Sequence, residues 1–95
     1  MFGQIVRITA VSGKRAALAA SLLASAKEMP GCLSYVVAED ADADSLWITE
    51  IWRDEATHRD SPEIKSMIEA ARPLIAGFDK PIRTRALGGI GLSGK

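Results

Sequence analysis

Glu50, Trp52 and His58 fall within the stretch ITEIWRDEATHRDSP, residues 48–62, and together could do proton chemistry beside an aromatic ligand. The histidine is the only one in the chain, and an imidazole exchanges protons near neutral pH, its free pKa being about 6.5. A carboxylate becomes a usable base when burial lifts its pKa. A tryptophan offers a flat wall and one N–H donor. Each also has an ordinary structural role. Glu50 could pair with an arginine such as Arg72, Trp52 could pack in a core, and His58 could sit on the surface at a helix end. Tyr35 could bring a hydroxyl to the same place or simply pack.

Other chemistries find less support. The single Cys32 has no partner for an internal disulfide, and no second histidine or cysteine completes a zinc set. Cys32 heads an apolar stretch and reads as a small core residue. Asp40, Asp42 and Asp44 form a polar turn that lacks the glycine and terminal glutamate of a calcium loop. No G-x-S-x-G occurs, and Ser61 is explained by helix capping. Near the C-terminus, Gly89, Gly91 and Gly94 spell G-x-G-x-x-G, while Gly89, Gly94 and Lys95 spell G-x-x-x-x-G-K. Both patterns need a following helix whose N-terminus holds phosphate. The sequence shows no such helix, so residues 89–95 are expected to form a glycine-rich tail to a single domain over residues 1–88.

Ninety-five residues suit one small domain, which buries only roughly 60–65% of its unfolded surface. Twelve basic and twelve acidic residues cancel, which argues against a nucleic-acid partner, since phosphates reward a positive excess. No apolar run approaches the ~20 residues that span a bilayer, and no signal pattern opens the chain. The expectation is a cytoplasmic protein without a membrane partner.

The elements that must position these side chains follow from periodicity. FGQIVRITAV alternates, with Phe2, Val6, Ile8 and Ala10 on one face and Ile5, Arg7, Thr9 and Val11 on the other, as a strand does. SGKRAALAASLLASAKEMPG reads as a helix capped by Ser12, with Leu18, Leu22, Ala26 and Met29 on its buried stripe and Pro30-Gly31 as its stop. CLSYVVAE and LWITEIWR then form a hairpin across DADADS. Asp54 caps a short turn containing His58. Ser61 caps a second helix that starts with Pro62, carries Ile64, Met67, Ile68, Ala71 and Ile75, and ends near Arg72 before Pro73. Past Gly77, KPIRTRAL reads as a fourth strand.

The order β-α-β-β-α-β is an α+β, ferredoxin-like plan: an antiparallel sheet with both helices on one face. Leu46, Ile48, Glu50 and Trp52 are assigned to the covered face and Trp47, Thr49, Ile51 and Arg53 to the bare one. A bare face bearing Ile5, Val11, Trp47 or Ile51 is too apolar for water, so a homodimer packed sheet to sheet is expected.

The segment TEIWRDEATHRDSPEIKSMIEAARPLIAGF resembles the antibiotic biosynthesis monooxygenase superfamily, whose fold is the dimeric α+β barrel. The matching features are E-x-W at Glu50 and Trp52, the acidic D-E-A turn and the histidine shortly after it. ARPLIAGF and the GGIGL tail resemble one bacterial branch. The resemblance implies a homodimer with a small pocket per protomer, and oxidation of phenols, quinols or anthrones by dioxygen without metal or flavin. An electron-rich phenolate can reduce oxygen itself, so the protein need only deprotonate, position and desolvate it. By that resemblance Trp52 walls the pocket; Tyr35 is a further candidate ligand contact from its own place on a strand. His58 or Glu50 takes the proton, and Arg7, Arg72, Arg83 or Arg85 steadies the anion. The haem-degrading branch uses an Asn–Trp–His set. Its helical histidine has no counterpart in EIKSMIEAAR, and the chain contains no asparagine. The alternative is a non-catalytic module of the same fold that binds a small aromatic ligand or stabilises a partner.

Overall fold

The computed structural model describes residues 1–92. Strand β1 (Phe2–Ala10) leads to helix α1 (Arg15–Ser25). The hairpin strands β2 (Cys32–Glu39) and β3 (Ser45–Trp52) follow. Next come a short helix α2 (Glu55–Arg59), helix α3 (Pro62–Ala71), one 3-10 turn (Arg72–Leu74), and strands β4 (Ile75–Phe78) and β5 (Ile82–Arg85). All pairings are antiparallel. The sheet runs β2-β3-β1-β4, with β5 also paired to β1. This is the ferredoxin-like order, and both long helices lie on one side. Among the described residues no helix is long and apolar enough to cross a membrane.

One core sits between sheet and helices. Val6, Ile8 and Ala10 from β1 and Leu46, Ile48 and Trp52 from β3 meet Leu18 and Leu22 of α1 and Met67 and Ala71 of α3. Burying each large aliphatic side chain contributes about 1.5–3 kcal/mol, so this cluster, with the helix caps, holds the helices on the sheet. The strand alternation places the two sets of β3 side chains as their apolar content suggests. The opposite face carries Ile5, Trp47 and Ile51, partly exposed, with Val36 and Ile82 half-exposed.

Four boundaries depart from the sequence reading. Ser12 does not cap α1. Gly13 turns the chain at a φ of +77°, and the cap position falls to Lys14, which makes no side-chain cap bond. The helix ends at Ser25, short of Pro30-Gly31, yet Met29 is still buried from the following turn. Ile75 belongs to β4, because the 3-10 turn at Pro73 re-aims the chain one residue before it. The last strand is double. Phe78 faces Ile8 and Ile82 faces Ile5, so Asp79, Lys80 and Pro81 oppose only Val6 and Arg7. That extra residue, and a proline with no N–H for the ladder, break the edge strand, although the Asp79 N–H still donates to the Arg7 carbonyl at 2.9 Å. The break has a functional consequence. It puts Phe78 on the helix-covered side and Ile82 on the bare side.

Gly94 and Lys95, on which both glycine patterns depend, lie outside the described residues. Residues 89–92 of the tail are neither helix nor strand.

Candidate functional site

Register brings three polar side chains into one row on the covered face. Glu50 in β3 stands opposite Gln4 of β1 on one side and Tyr35 of β2 on the other. The next row toward the end of β3 is Phe2, Trp52 and Cys32. Glu50 is 5% exposed and Trp52 is wholly buried. The Trp52 Nε1–H donates to Glu50 Oε1 at 2.8 Å, and Gln4 Nε2 reaches Oε2 at 3.5 Å.

His58 arrives from α2. That helix exists as one short turn because Asp54 caps it, its carboxylate accepting from the Thr57 backbone N–H at 2.7 Å and from the Thr57 hydroxyl at 2.6 Å. Those bonds hold Asp54 below the usual carboxylate range. The cap turns His58 inward. Its ring lies 5.2 Å from that of Phe2 and meets Trp52 edge-on at 5.3 Å, and its Nε2 is 3.6 Å from Glu50 Oε1.

Burial raises the pKa of Glu50, outweighing the opposing pull of the Trp52 N–H, the His58 charge and the Gln4 amide. Tyr35 is raised by the same cause, with the Glu50 charge adding to it, and its hydroxyl contacts Met67 Sδ at 3.2 Å. The cost of ionising Glu50 without a cation is what makes it a proton acceptor rather than a permanent anion.

These groups face a cavity of about 250 Å³. Gln4, Tyr35, Glu50 and His58 supply its polar wall. Val6, Ile8 and Ile48 line it from the sheet, Ile64 and Ile68 from α3, and Phe78 and Pro81 from the broken edge strand. An engineered apolar cavity of roughly 150 Å³ accepts benzene, and drug-sized ligands occupy roughly 300–1,000 Å³. One or two rings fit this space.

The sequence singled out Glu50, His58, Tyr35 and Trp52, and the structure gathers all four, but not with equal access. Glu50, His58 and Tyr35 line the cavity, whereas Trp52 is no part of the wall and touches it only through Glu50 and His58. The reason is position: Trp52 ends β3 one row beyond Glu50, with His58 edge-on against its ring. The arginine expected to steady an anion does not line the cavity either. Arg7 lies on the bare face with Asp40, Asp42 and Asp79, Arg72 pairs with Glu69 at 3.1 Å, and Arg83 pairs with Glu55 at 3.2 Å. Arg85, facing Phe2 across the sheet, is exposed. The alternative pairing of Glu50 with Arg72 is thereby ruled out. Cys32 is half-buried, its thiol pushed up to about 11 by burial. Among the described residues no three His, Cys, Asp or Glu side chains gather to hold a metal ion.

Three wall residues escaped the sequence reading: Gln4, Phe78 and Pro81. Gln4 was detectable, since it interrupts the apolar series Phe2, Val6, Ile8, Ala10 at a covered position. Phe78 was not, because its orientation depends on the bulge at residues 79–81.

A family model described as antibiotic biosynthesis monooxygenase matches residues 1–70. Among solved structures, a protein of Chloroflexus aurantiacus J-10-fl, provisionally named an antibiotic biosynthesis monooxygenase, is 43% identical. The alignment covers 96% of this chain and 97% of that one, with a TM-score of 0.86. PA3566 from Pseudomonas aeruginosa is 26% identical over 92% of this chain and 94% of its own, with a TM-score of 0.72. Rv0793 from Mycobacterium tuberculosis is 25% identical over 94% and 97%, also at 0.72. Comparison with curated proteins finds no match.

Proposed function

The chain belongs to the antibiotic biosynthesis monooxygenase family, and on that premise we propose that it is a cofactor-independent monooxygenase of a small phenol, quinol or anthrone-type ring. The observation that carries the reading is the Glu50–His58 pair, 3.6 Å apart, on the wall of an otherwise mostly apolar cavity. A ring hydroxyl in that cavity gives its proton to the pair. The electron-rich anion then reduces dioxygen, and a ring carbon bearing hydrogen bonds to one oxygen atom. The pair returns a proton to the distal oxygen, giving a hydroperoxide. It then removes the ring C–H proton as the O–O bond breaks. One oxygen stays as a carbonyl, the other leaves as water. The ring loses four electrons and dioxygen gains four, so no external reductant enters.

Two features favour catalysis over a passive ligand-binding module. His58 turns inward rather than to solvent, and side chains leave the cavity open. The volume favours one- and two-ring substrates over three-ring anthrones.

The bare sheet face, with Ile5, Val36, Trp47, Ile51 and Ile82, is the surface of a homodimer in this reading; members of the family are commonly dimeric. A solution mass of one chain at micromolar concentration contradicts that part. The single thiol suits the reducing cytoplasm, where we place the activity.

The test is oxygen consumption with menadiol, and with a dihydroxyanthracene as the larger probe. Wild type accelerates uptake of the two-ring substrate over buffer, and His58→Ala and Glu50→Gln each lose about 10²-fold or more. Uptake no faster than in buffer across the panel overturns the proposal.

A further inference from the structure

The cavity wall carries a carboxylate and no permanent cation, and this has consequences for which ligands can enter. Among the described residues no lysine or arginine lines it. The arginines the sequence offered are engaged or exposed elsewhere: Arg7 with Asp40, Asp42 and Asp79, Arg72 with Glu69, Arg83 with Glu55. The one group that can turn cationic is His58, and it already faces Glu50 Oε1 at 3.6 Å. A ligand that arrives with its own negative charge meets the Glu50 carboxylate with no lysine or arginine on the described wall to offset the repulsion, in a setting of low dielectric.

The two oxygens of Glu50 also differ. Oε1 is taken by the Trp52 N–H at 2.8 Å. Among the described residues Oε2 has only the Gln4 amide at 3.5 Å, the outer limit of a hydrogen bond. A ligand hydroxyl is therefore best received at Oε2.

We infer that this cavity selects uncharged hydroxyaromatic ligands, accepting their hydroxyl at Glu50 Oε2, and rejects ring carboxylates of the same size. Trp52 is a positioning residue in this arrangement: it holds Oε1, and so aims Oε2, without touching the ligand. The inference rests on the reading that the site takes a small aromatic ring, and adds which rings. Specificity here comes as much from repulsion of the wrong ligand as from attraction of the right one.

The experiment is equilibrium binding under argon at neutral pH with naphthalene, 1-naphthol and 1-naphthoate, followed by calorimetry. In wild type 1-naphthol is expected to bind at least about tenfold more tightly than 1-naphthoate, with naphthalene between them. Glu50→Gln removes the charge and keeps an acceptor for Trp52, and is expected to bring the three within about threefold of one another. Trp52→Phe is expected to weaken 1-naphthol while leaving naphthalene unchanged; a purely structural role for Trp52 would weaken both. Naphthoate binding as tightly as naphthol overturns the inference, as does an unchanged preference in Glu50→Gln, or a failure of 1-naphthol to bind wild type. Because no oxygen is present, intact selectivity without oxygen uptake in air overturns the monooxygenase reading alone.

Discussion

Trp47 and Trp52 stand on the same strand, and each donates its indole N–H to a carboxylate: Trp47 to Asp40 at 2.7 Å, Trp52 to Glu50 at 2.8 Å. Five residues apart, they point to opposite faces of the sheet. Asp40 is held at about 2, first by the Asp42 backbone N–H and then by the Trp47 indole, with Arg7 adding to both. Glu50 moves the other way, because burial outweighs the same kind of indole bond. One local motif thus yields a permanent anion on the bare face and a proton acceptor on the covered one. The hydrogen bond does not decide which. What decides is the balance with burial, which the Asp42 N–H, the indole and Arg7 together outweigh at Asp40 and which outweighs every opposing contact at Glu50.

That contrast can be broken or sharpened in four ways, the largest effect first. Glu50→Gln is expected to cut menadiol-dependent oxygen uptake by about 10²-fold or more, while Asp40→Asn leaves it within about twofold. Comparable losses in both would show that the covered carboxylate has no special role.

Removing each indole N–H comes next. In Trp52→Phe the buried carboxylate loses its best donor, at about 1–3 kcal/mol. Trp47→Phe should cost less, since Asp40 keeps Arg7 and the Asp42 N–H. Urea denaturation of both variants reads the difference, and equal losses would break the comparison.

The pH dependence should have opposite signs. A carboxyl whose folded pKa is raised binds its proton more tightly folded than unfolded. Glu50 therefore favours the fold at acid pH, and that contribution is lost as pH rises from about 4.3 through the folded value. Glu50→Gln should accordingly raise the melting temperature relative to wild type more at pH 7 than at pH 4. For Asp40 the folded pKa is depressed, so its contribution is present above the ordinary aspartate value and disappears as pH falls toward about 2. Asp40→Asn should lose stability at neutral pH and match wild type near the acid limit. Melting curves across this range test both signs.

Added salt should have the smallest effect, and only on the bare face. The difference in stability between wild type and Arg7→Met should shrink as salt rises, while that between wild type and Glu50→Gln stays constant.

Much of the fold was legible because its cues are local. Alternation in residues 2–11 and 46–53, the Asp54 and Ser61 caps, and the hairpin turn at residues 40–45 each depend on a few neighbouring residues. The misread places share a cause too: Ser12, Ile75 and the double edge strand depend on where the chain must pair or turn to reach another element. Gly13 at positive φ overrides a good capping residue, and pairing with β1 draws Ile75 out of a helical stripe. The candidate site divides in the same way. Glu50 on the covered face follows from β3 alone. The demotion of Trp52 from wall to support does not, nor does the distance of every arginine from the cavity.

The sequence by itself determined the order of elements as far as α3, the face on which Glu50 and Trp52 lie, and the caps that begin α2 and α3, because periodicity and capping act within one or two turns of chain. Only the tertiary structure decided that Gln4, Glu50 and Tyr35 form one row, that His58 closes on Glu50, and that Phe78 borders the cavity. Those outcomes depend on strand register and on one bulge, and a cavity is the space left between distant segments, which no segment specifies alone.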